Sequence, residues 1–253
     1  MRFDKGLMAA AAMLALTAGA AHAQDMMKLK IGTEGAYPPF NNLEADGSLV
    51  GFDIDIAKAL CEEMKADCEF VTQDWDGIIP ALLAGKFDAI VASMSITDER
   101  KEKVDFTDSY YTNSLTFAAA EDTDLAGNDP ASLAGKTVGV QEGTISAQFL
   151  EENYPDTRVN AYPTQLEAYA DLKSGRSDAV LADFGVLYDW INSDDGKGYA
   201  FFGEPVSKDD KIGIAIRKGE DELREKFNAA LKAIRANGTY AEINKKYFPF
   251  DIY

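Results

Sequence analysis

The sequence predicts an α/β protein built as two lobes, each a mainly parallel β-sheet flanked by helices. Short apolar segments typical of buried strands alternate with helical segments through most of the chain. A unit of helix, glycine and strand also occurs twice, and the two copies lie 90 residues apart. A chain of 253 residues is long enough to form two modest hydrophobic cores.

The first group of predicted elements lies between residues 27 and 93. A strand is predicted at 27–34, and a helix follows at 52–66 because Ile56, Leu60 and Met64 fall on one helical face. The group continues with a strand at 68–73, a short helix at 76–85 and a buried strand at 87–93. This alternation favours parallel pairing of the strands, with the helices as crossovers.

The same alternation resumes after residue 135. Strands are predicted at 136–140, 158–162 and 178–183, and helices at 143–153 and 164–175. A further strand is predicted at 211–218, followed by a charged helix from about Asp221 and a final helix at 240–247. The second group therefore predicts a second sheet.

The repeated unit covers Leu82 to Ser93 (LLAGKFDAIVAS) and Leu172 to Asp183 (LKSGRSDAVLAD). Coincidence remains an alternative, since glycine commonly ends helices and small apolar residues commonly form buried strands. If the repeat is structural, the two strands end at equivalent points. Ligands bind beyond the carboxyl ends of strands in open α/β sheets, so two facing lobes would bring Ser93 and Asp183 into one cleft.

The segment 104–120 is extended and poor in glycine and proline, as expected of a strand that crosses between lobes. A second crossing near residue 211 would return the chain to the first lobe. The predicted lobe 1 is therefore discontinuous, with residues 24–112 plus 211–253, and the predicted lobe 2 covers residues 113–210.

Residues 1–23 are predicted to be a signal peptide. Arg2 and Lys5 precede an apolar run that ends in Ala21-His22-Ala23, a pattern typical of cleavage after Ala23. The alternative, a membrane anchor, needs about 20 apolar residues. The mature chain of 230 residues then contains no histidine, which excludes Ser-His-Asp triads, histidine proton shuttles and imidazole ligands for zinc.

The net charge of −18, which becomes −19 after removal of the signal peptide, argues against a nucleic-acid partner. Cys61 and Cys68 are expected to pair in an oxidising compartment, adding about 2.5 kcal/mol of stability. The alternative is two buried reduced thiols, since a metal site needs more ligands. No cysteine directly follows the apolar run to accept a lipid, so we expect a periplasmic monomer that does not insert into the membrane.

Four clusters of candidate binding residues lie at predicted junctions between strands and helices. They contain Glu34 with Tyr37, Trp75, Ser93 with Ser95 and Arg100, and Thr144 with Asp183. Tyr37 and Trp75 are equally compatible with a role in the core, and Glu34 with an ordinary exposed loop.

Arg100 is the most informative of these residues. A cation in the first turn of a helix opposes the helix dipole, at a cost of about 0.3 to 1 kcal/mol, unless it faces an anion. The alternative is a solvated arginine beside Glu99 and Glu102. Nearby hydroxyls and a helix N-terminus favour a carboxylate ligand, and Asp183 supplies the opposite charge. This pair predicts a site for the α-carboxylate and α-ammonium of an amino acid.

The whole mature chain resembles the periplasmic polar amino-acid-binding proteins of ABC importers, most closely the lysine/arginine/ornithine and histidine binders. The matching segments are GTEGAYPPF, LVGFDIDIAKALC with Cys68, IIPALLAGKFDAIVASMSITDERKEKVDFTDSYY, LAGKTVGVQEGT, DLKSGRSDAVLAD and NGTYAEINKKYF. The resemblance implies a type II periplasmic binding fold with a two-crossing hinge, a Cys61–Cys68 disulfide and an inner-membrane permease as partner.

The resemblance also implies roles for individual residues. Arg100 would hold the α-carboxylate and Asp183 the α-ammonium. The implied helpers are the Ser95 amide and the backbone around Thr144 and Ile145 for the carboxylate, and Ser93 and Ser95 for the ammonium. The implied side-chain pocket consists of Glu34, Tyr37, Trp75, Ala92 and Gln141.

The chain departs from the basic-amino-acid binders at several pocket positions. Glu34 stands where these proteins usually have Asp, Ala92 where they have Ser, and Ile145 where Thr often occurs. Glu34 keeps the negative charge, so a cationic ligand side chain is expected. Opines, neutral polar amino acids such as glutamine, and an exported dehydratase on the same scaffold remain alternatives.

No cofactor is predicted. Gly135-Lys136-Thr137 lacks the earlier glycine of a P-loop, and a strand follows it instead of a helix.

Overall fold

The computed structural model describes residues 26–253, so the predicted signal peptide and its cleavage site lie outside the described residues. The strands are β1 (Met27–Thr33), β2 (Ala36–Tyr37), β3 (Asn41–Leu43), β4 (Leu49–Val50), β5 (Ala66–Thr72), β6 (Ala89–Ile90), β7 (Val104–Phe106), β8 (Tyr111–Ala120), β9 (Thr137–Gln141), β10 (Arg158–Tyr162), β11 (Ala179–Asp183), β12 (Tyr199–Ile212) and β13 (Ala215–Arg217). The helices are α1 (Phe52–Glu63), α2 (Ile78–Leu83), α3 (Asp98–Lys103), α4 (Ile145–Asn153), α5 (Gln165–Lys173), α6 (Phe184–Ile191), α7 (Asp221–Ala236) and α8 (Thr239–Tyr247).

Two five-stranded sheets form the two lobes and confirm the predicted fold class. The sheet of lobe 1 has the order β5-β1-β6-β13-β7, and the sheet of lobe 2 has the order β10-β9-β11-β8-β12. In each sheet three neighbouring strands are parallel and the other two run antiparallel to their neighbours. A small antiparallel sheet, β2-β3-β4, leads from β1 into α1.

The internal repeat is structural. Gly85 ends α2 at φ +73° and Gly175 ends α5 at φ +75°, a left-handed conformation that glycine adopts without steric cost. Asp88 then accepts a hydrogen bond from the Lys30 amide, and its counterpart Asp178 accepts one from the Thr137 amide. The two copies therefore pack in the same way against the parallel strand beside them, β1 in lobe 1 and β9 in lobe 2, and their strands end at equivalent edges.

The connections between the lobes differ in part from the prediction. The extended segment 104–120 is two strands, because the chain breaks at residues 107–110 and β7 and β8 belong to different sheets. The predicted strand at 211–218 is also divided: Ile212 ends β12 and β13 begins at Ala215. The long strands β8 and β12 pair antiparallel and connect the lobes. The exact lobe boundaries stay a prediction.

Two elements between residues 184 and 210 were not predicted. Helix α6 follows Asp183 directly, and β12 runs for 14 residues with two shifts of register. The bulged strand exposes polar residues on both faces, so its sequence lacks the alternation that identifies a strand.

Cys61 at the end of α1 and Cys68 in β5 form a disulfide, as the sequence and the family resemblance predicted. The bond joins α1 to the edge strand of the lobe 1 sheet. Since α1 also packs on α7 and α8, the disulfide secures the layer of helices that includes the C-terminal part of the chain.

A buried carboxylate supports the end of the β6 segment. Asp53 is fully buried and accepts hydrogen bonds from Asn41 Nδ2 (2.9 Å), Ser93 Oγ (2.9 Å) and the Tyr110 hydroxyl (2.7 Å). Burial raises the pKa of Asp53 to about 6, although the three donors lower it. Ser93 has φ +52°, which is strained for a residue with a side chain, so these bonds hold it in place.

We expect Asp53→Ala to lower the free energy of unfolding by about 3 kcal/mol, because it leaves three buried donors without their acceptor. Asp55→Ala is the control, since Asp55 bonds Lys246 and Tyr247 near the surface and its loss is expected to cost about 1 kcal/mol or less. Denaturant unfolding of both variants measures the difference. Equal losses would contradict the role of the buried network.

Candidate functional site

All eleven residues predicted for the site line one cavity between the lobes. They are Glu34, Tyr37, Trp75, Ala92, Ser93, Ser95, Arg100, Gln141, Thr144, Ile145 and Asp183. Lobe 1 supplies the first seven, and the last four come from β9, α4 and β11 of lobe 2. The cavity lies where strands of both sheets end, as expected for open α/β sheets.

Arg100 is held in the first turn of α3. Thr97 caps this helix by accepting a hydrogen bond from the Arg100 amide at 3.2 Å. The guanidinium donates from Nη1 to the Ser95 carbonyl at 2.9 Å and from Nη2 to the Gly143 carbonyl at 3.2 Å. It also lies 5.3 Å from the centre of the Trp75 ring, a cation-π distance. Because a guanidinium has five N–H groups, three remain for a ligand.

The Gly143 carbonyl is a point of contact between the lobes. It accepts hydrogen bonds from Arg100 and from Trp75 Nε1, the latter at 3.1 Å. The next residue, Thr144, is the N-cap of α4 and accepts a hydrogen bond from the Ala147 amide. The first amides of a helix have no partner within the helix, so the start of α4 offers N–H groups to an anion beside Arg100.

Asp183 is buried at the end of β11. The pKa of Asp183 is raised to about 7, mainly by burial and also by the charge of Asp210. The Asn113 amide, the Tyr37 hydroxyl and the Arg100 charge all lower the pKa. No cation among residues 26–253 forms a salt bridge with Asp183, and a ligand cation would stabilise its ionised form.

Glu34 of lobe 1 forms a second contact between the lobes. Its Oε1 accepts a hydrogen bond from Gln141 Nε2 at 2.6 Å, and the same nitrogen donates to the Pro163 carbonyl at 3.1 Å. Burial raises the pKa of Glu34 to about 7, the Gln141 bond lowers it and the charge of Asp74 raises it. Glu34 is thus a second, half-buried carboxylate, and none of residues 26–253 forms a salt bridge with it.

The two serine hydroxyls donate to carboxylates other than Asp183. Ser93 Oγ bonds Asp53, and Ser95 Oγ bonds Asp210 at 2.9 Å. Their oxygen lone pairs remain available to accept a hydrogen bond from an ammonium group. Their role toward a ligand stays a prediction.

Sequence reasoning missed three side chains that support the site. Asp53 falls on the apolar face of α1 with Ile56 and Leu60, and Asn113 falls on the buried face of β8 with Tyr111 and Leu115. In both cases, a polar residue at a position expected to be apolar could have identified the supporting side chain from the sequence. Asp210 lies in the polar segment KDDK, where the sequence offers no such contrast.

The charged lining of the cavity consists of one cation, Arg100, and two carboxylates, Glu34 and Asp183. With all three ionised, the lining has a net charge of −1. Such a cavity can bind a molecule with one anionic and two cationic groups so that every buried charge is paired.

Among residues 26–253 no group of three or more His, Cys, Asp or Glu side chains is placed to hold a metal ion. Within the same residues no helix combines the length and apolar character needed to cross a bilayer.

Comparison with known proteins identifies the family. Residues 29–250 match the bacterial extracellular solute-binding proteins, family 3. The chain is 50% identical over 234 residues to the L-arginine-binding protein of Pseudomonas aeruginosa, with 89% of each chain covered. It is 40% identical over 245 residues to the histidine-binding periplasmic protein of Salmonella typhimurium, with 94% of each covered.

The solved structures that match the chain are also amino-acid-binding proteins. An ancestral arginine-binding protein bound to arginine matches with a TM-score of 0.82 and 40% identity, covering 87% of this chain and 98% of that one. Both the sequence match and the structural match extend over nearly all of the described residues. The chain therefore belongs to family 3 of the bacterial extracellular solute-binding proteins.

Proposed function

We propose that this protein is the periplasmic binding component of an ABC importer, and that it binds a free basic L-amino acid between its lobes. The observation that carries the proposal is the charge of the cavity lining, one cation and two carboxylates. Arginine, lysine and ornithine have the complementary set, one carboxylate and two cations. Because an unpaired buried charge is costly, a ligand with this set is favoured over a neutral amino acid.

The contacts within the cavity support a binding mode in which each end of the ligand has its own partners. Arg100 and the first amides of α4 receive the α-carboxylate, and Asp183 receives the α-ammonium with help from Ser93 and Ser95. Glu34 pairs with the cationic side chain. Tyr37, Trp75, Ala92 and Gln141 enclose its aliphatic part, with Trp75 also suited to a cation-π contact.

The contacts between the lobes support closure around the ligand. The Glu34–Gln141 bond and the two bonds to the Gly143 carbonyl join residues of different lobes at the rim of the cavity. A ligand that pairs with Arg100 and Asp183 contacts both lobes at once, so it stabilises the closed arrangement by its differential affinity.

The remaining parts of the proposal concern export and delivery. We infer that the signal peptide is cleaved after Ala23, that the mature monomer is released into the periplasm, and that it delivers its ligand to an inner-membrane permease. We also infer binding without turnover, since no described residue is required to act as a catalyst. A ligand recovered unchanged after long incubation supports this inference, and a converted one contradicts it.

Calorimetric titration of the mature protein tests the proposal. Arginine, lysine, ornithine, histidine, glutamine and an arginine-derived opine are titrated separately at neutral pH. We expect the basic amino acids to bind more tightly than glutamine or the opine. Absence of heat with every ligand would exclude amino-acid binding, and a preference for the opine or glutamine would replace the ligand class.

A charge-neutral variant of Glu34 tests ligand selection. We expect Glu34→Gln to weaken arginine binding about 10- to 100-fold, because the ligand side-chain cation loses its ion pair, while glutamine binding changes less than about 3-fold. Glu44→Gln is the matched control, since Glu44 is an exposed acid of the same lobe. Equal losses for arginine and glutamine would show that Glu34 does not select for charge.

A further inference from the structure

We propose that Asp210, on the second strand connecting the lobes, is a positioning residue for amino-acid binding. It holds Ser95 and Asn113 at the hinge and places a second negative charge behind Asp183. The proposal rests on the proposed function of the cavity and assigns a role to a residue that does not line it.

Asp210 joins three parts of the chain at one carboxylate oxygen. Its Oδ2 accepts hydrogen bonds from Ser95 Oγ at 2.9 Å and from Asn113 Nδ2 at 3.3 Å. Asn113 and Asp210 are directly opposite each other in the β8–β12 ladder, so both connecting strands meet here. Ser95 comes from lobe 1 and pairs with Ile212 in an isolated bridge.

The Ser95 contact connects Asp210 to the carboxylate-binding end of the cavity. The Ser95 carbonyl accepts the Nη1 bond of Arg100, and the Ser95 hydroxyl is fixed by Asp210. The charge of Asp210 also favours the protonated state of Arg100, whose pKa is lowered by burial. Asp210 therefore positions the backbone on which the Arg100 side chain rests.

The Asn113 contact connects Asp210 to the ammonium-binding end. Asn113 lies on β8, between β11, which carries Asp183, and β12, which carries Asp210. Its amide lowers the pKa of both carboxylates. The negative charge of Asp210 raises the pKa of Asp183. Two neighbouring carboxylates resist simultaneous ionisation until a cation joins them.

The other titratable groups around Asp183 and Asp210 do not oppose the ionisation of Asp183. Tyr37, Tyr111 and Tyr169 face Asp183, and burial keeps their pKa values well above the usual range, so they stay neutral. Arg100 faces both carboxylates and stays charged. Asp210 is thus the charged neighbour that works against ionisation of Asp183.

This arrangement links ligand binding to protons. The ligand ammonium binds ionised Asp183, so below the pKa of Asp183 each binding event must release a proton from the pair to solvent. Affinity is therefore complete above this pKa and falls as the pH drops through it. Removing the charge of Asp210 moves this loss of affinity to lower pH.

Calorimetric titration with arginine between about pH 5 and pH 8 tests the proposal in wild type, Asp210→Asn and Asp209→Asn. Asp209 is the matched control because it is the adjacent acid, it is exposed, and its φ of +62° suits asparagine. We expect Asp210→Asn to move the midpoint of the pH dependence down by at least about 0.5 unit. We also expect it to weaken binding about 10-fold at the upper pH.

We expect Asp209→Asn to have the affinity and the pH midpoint of wild type. Titration of Glu34 contributes equally to the pH dependence of wild type, Asp210→Asn and Asp209→Asn, so it does not affect the comparison. A third variant, Asp210→Glu, keeps the charge but moves the carboxylate. Asp210→Glu is expected to keep the wild-type midpoint of the pH dependence and to bind arginine more weakly. If Asp210→Asn does not fold, Asp210→Glu still tests the positioning role.

An unchanged midpoint in Asp210→Asn, or a shifted midpoint in Asp210→Glu, would overturn the inference. Wild-type affinity in either Asp210 variant would overturn the positioning role. Failure of wild type to bind any of the amino acids would instead contradict the proposed function, so the two failures are distinguishable.

Discussion

Replacing Asp183 with alanine is expected to abolish amino-acid binding. A ligand α-ammonium buried in the cavity would lose its anionic partner, and truncating one member of a buried charge pair costs about 2 to 5 kcal/mol. This corresponds to a loss of affinity of roughly 30- to 5000-fold. Glu34 does not compensate, because it hydrogen-bonds Gln141 and is expected to pair with the other cation of the ligand.

Calorimetry on Asp183→Ala measures this loss, with Asp194→Ala as the control. Asp194 is exposed on the same lobe, and its one salt bridge within residues 26–253 is with the exposed Lys197. Burial raises the pKa of Asp183, so keeping this carboxylate ionised at neutral pH costs folding free energy, and its removal relieves that cost. A folded Asp183→Ala protein with unchanged affinity would refute the role of Asp183.

Replacing Arg100 with lysine is expected to weaken binding about 100-fold or more, although the charge is kept. Lysine cannot donate to the Ser95 and Gly143 carbonyls and to a ligand carboxylate in one plane, as the guanidinium can. The effect should extend to all amino-acid ligands, since every one of them has the α-carboxylate. This distinguishes Arg100 from Glu34, because the loss of Glu34 should weaken the binding of basic ligands alone.

Lys101→Ala is the control for this substitution, because Lys101 is the next residue and forms an exposed salt bridge with Asp98. A thermal shift on addition of arginine gives an independent readout, since a ligand that binds only the native state raises its stability. An Arg100→Lys protein that binds within about 3-fold of wild type would contradict the need for the planar donor group.

The sequence predicted the position of the site better than the elements around it. Strand ends of parallel sheets converge, so residues at strand-to-helix junctions, such as Trp75 and Asp183, could be brought together without knowledge of the fold. The repeat around Gly85 and Gly175 also predicted that the strands of the two lobes end at equivalent edges of their sheets. The family resemblance then supplied pocket positions such as Ala92, which no physical pattern distinguishes.

The parts that the sequence did not predict depend on tertiary contacts. The strand β12 is bulged and polar, and it pairs with β8, a strand about 90 residues earlier in the chain. Asp210 is one of two adjacent acids, and only the register of that ladder turns it toward Asn113 and leaves Asp209 exposed. The break between β7 and β8 likewise places Tyr110 where it reaches Asp53.

The discontinuous sheet of lobe 1 has a consequence for the order of folding. All five strands of the second sheet come from one stretch, residues 111–212, whereas the first sheet needs β13 to join β6 to β7. As the chain emerges with its N-terminus first, the first lobe has exposed strand edges until β13 arrives. The second lobe can therefore complete its sheet first. The last part of the chain then decides when the first part becomes protected from proteolysis and aggregation.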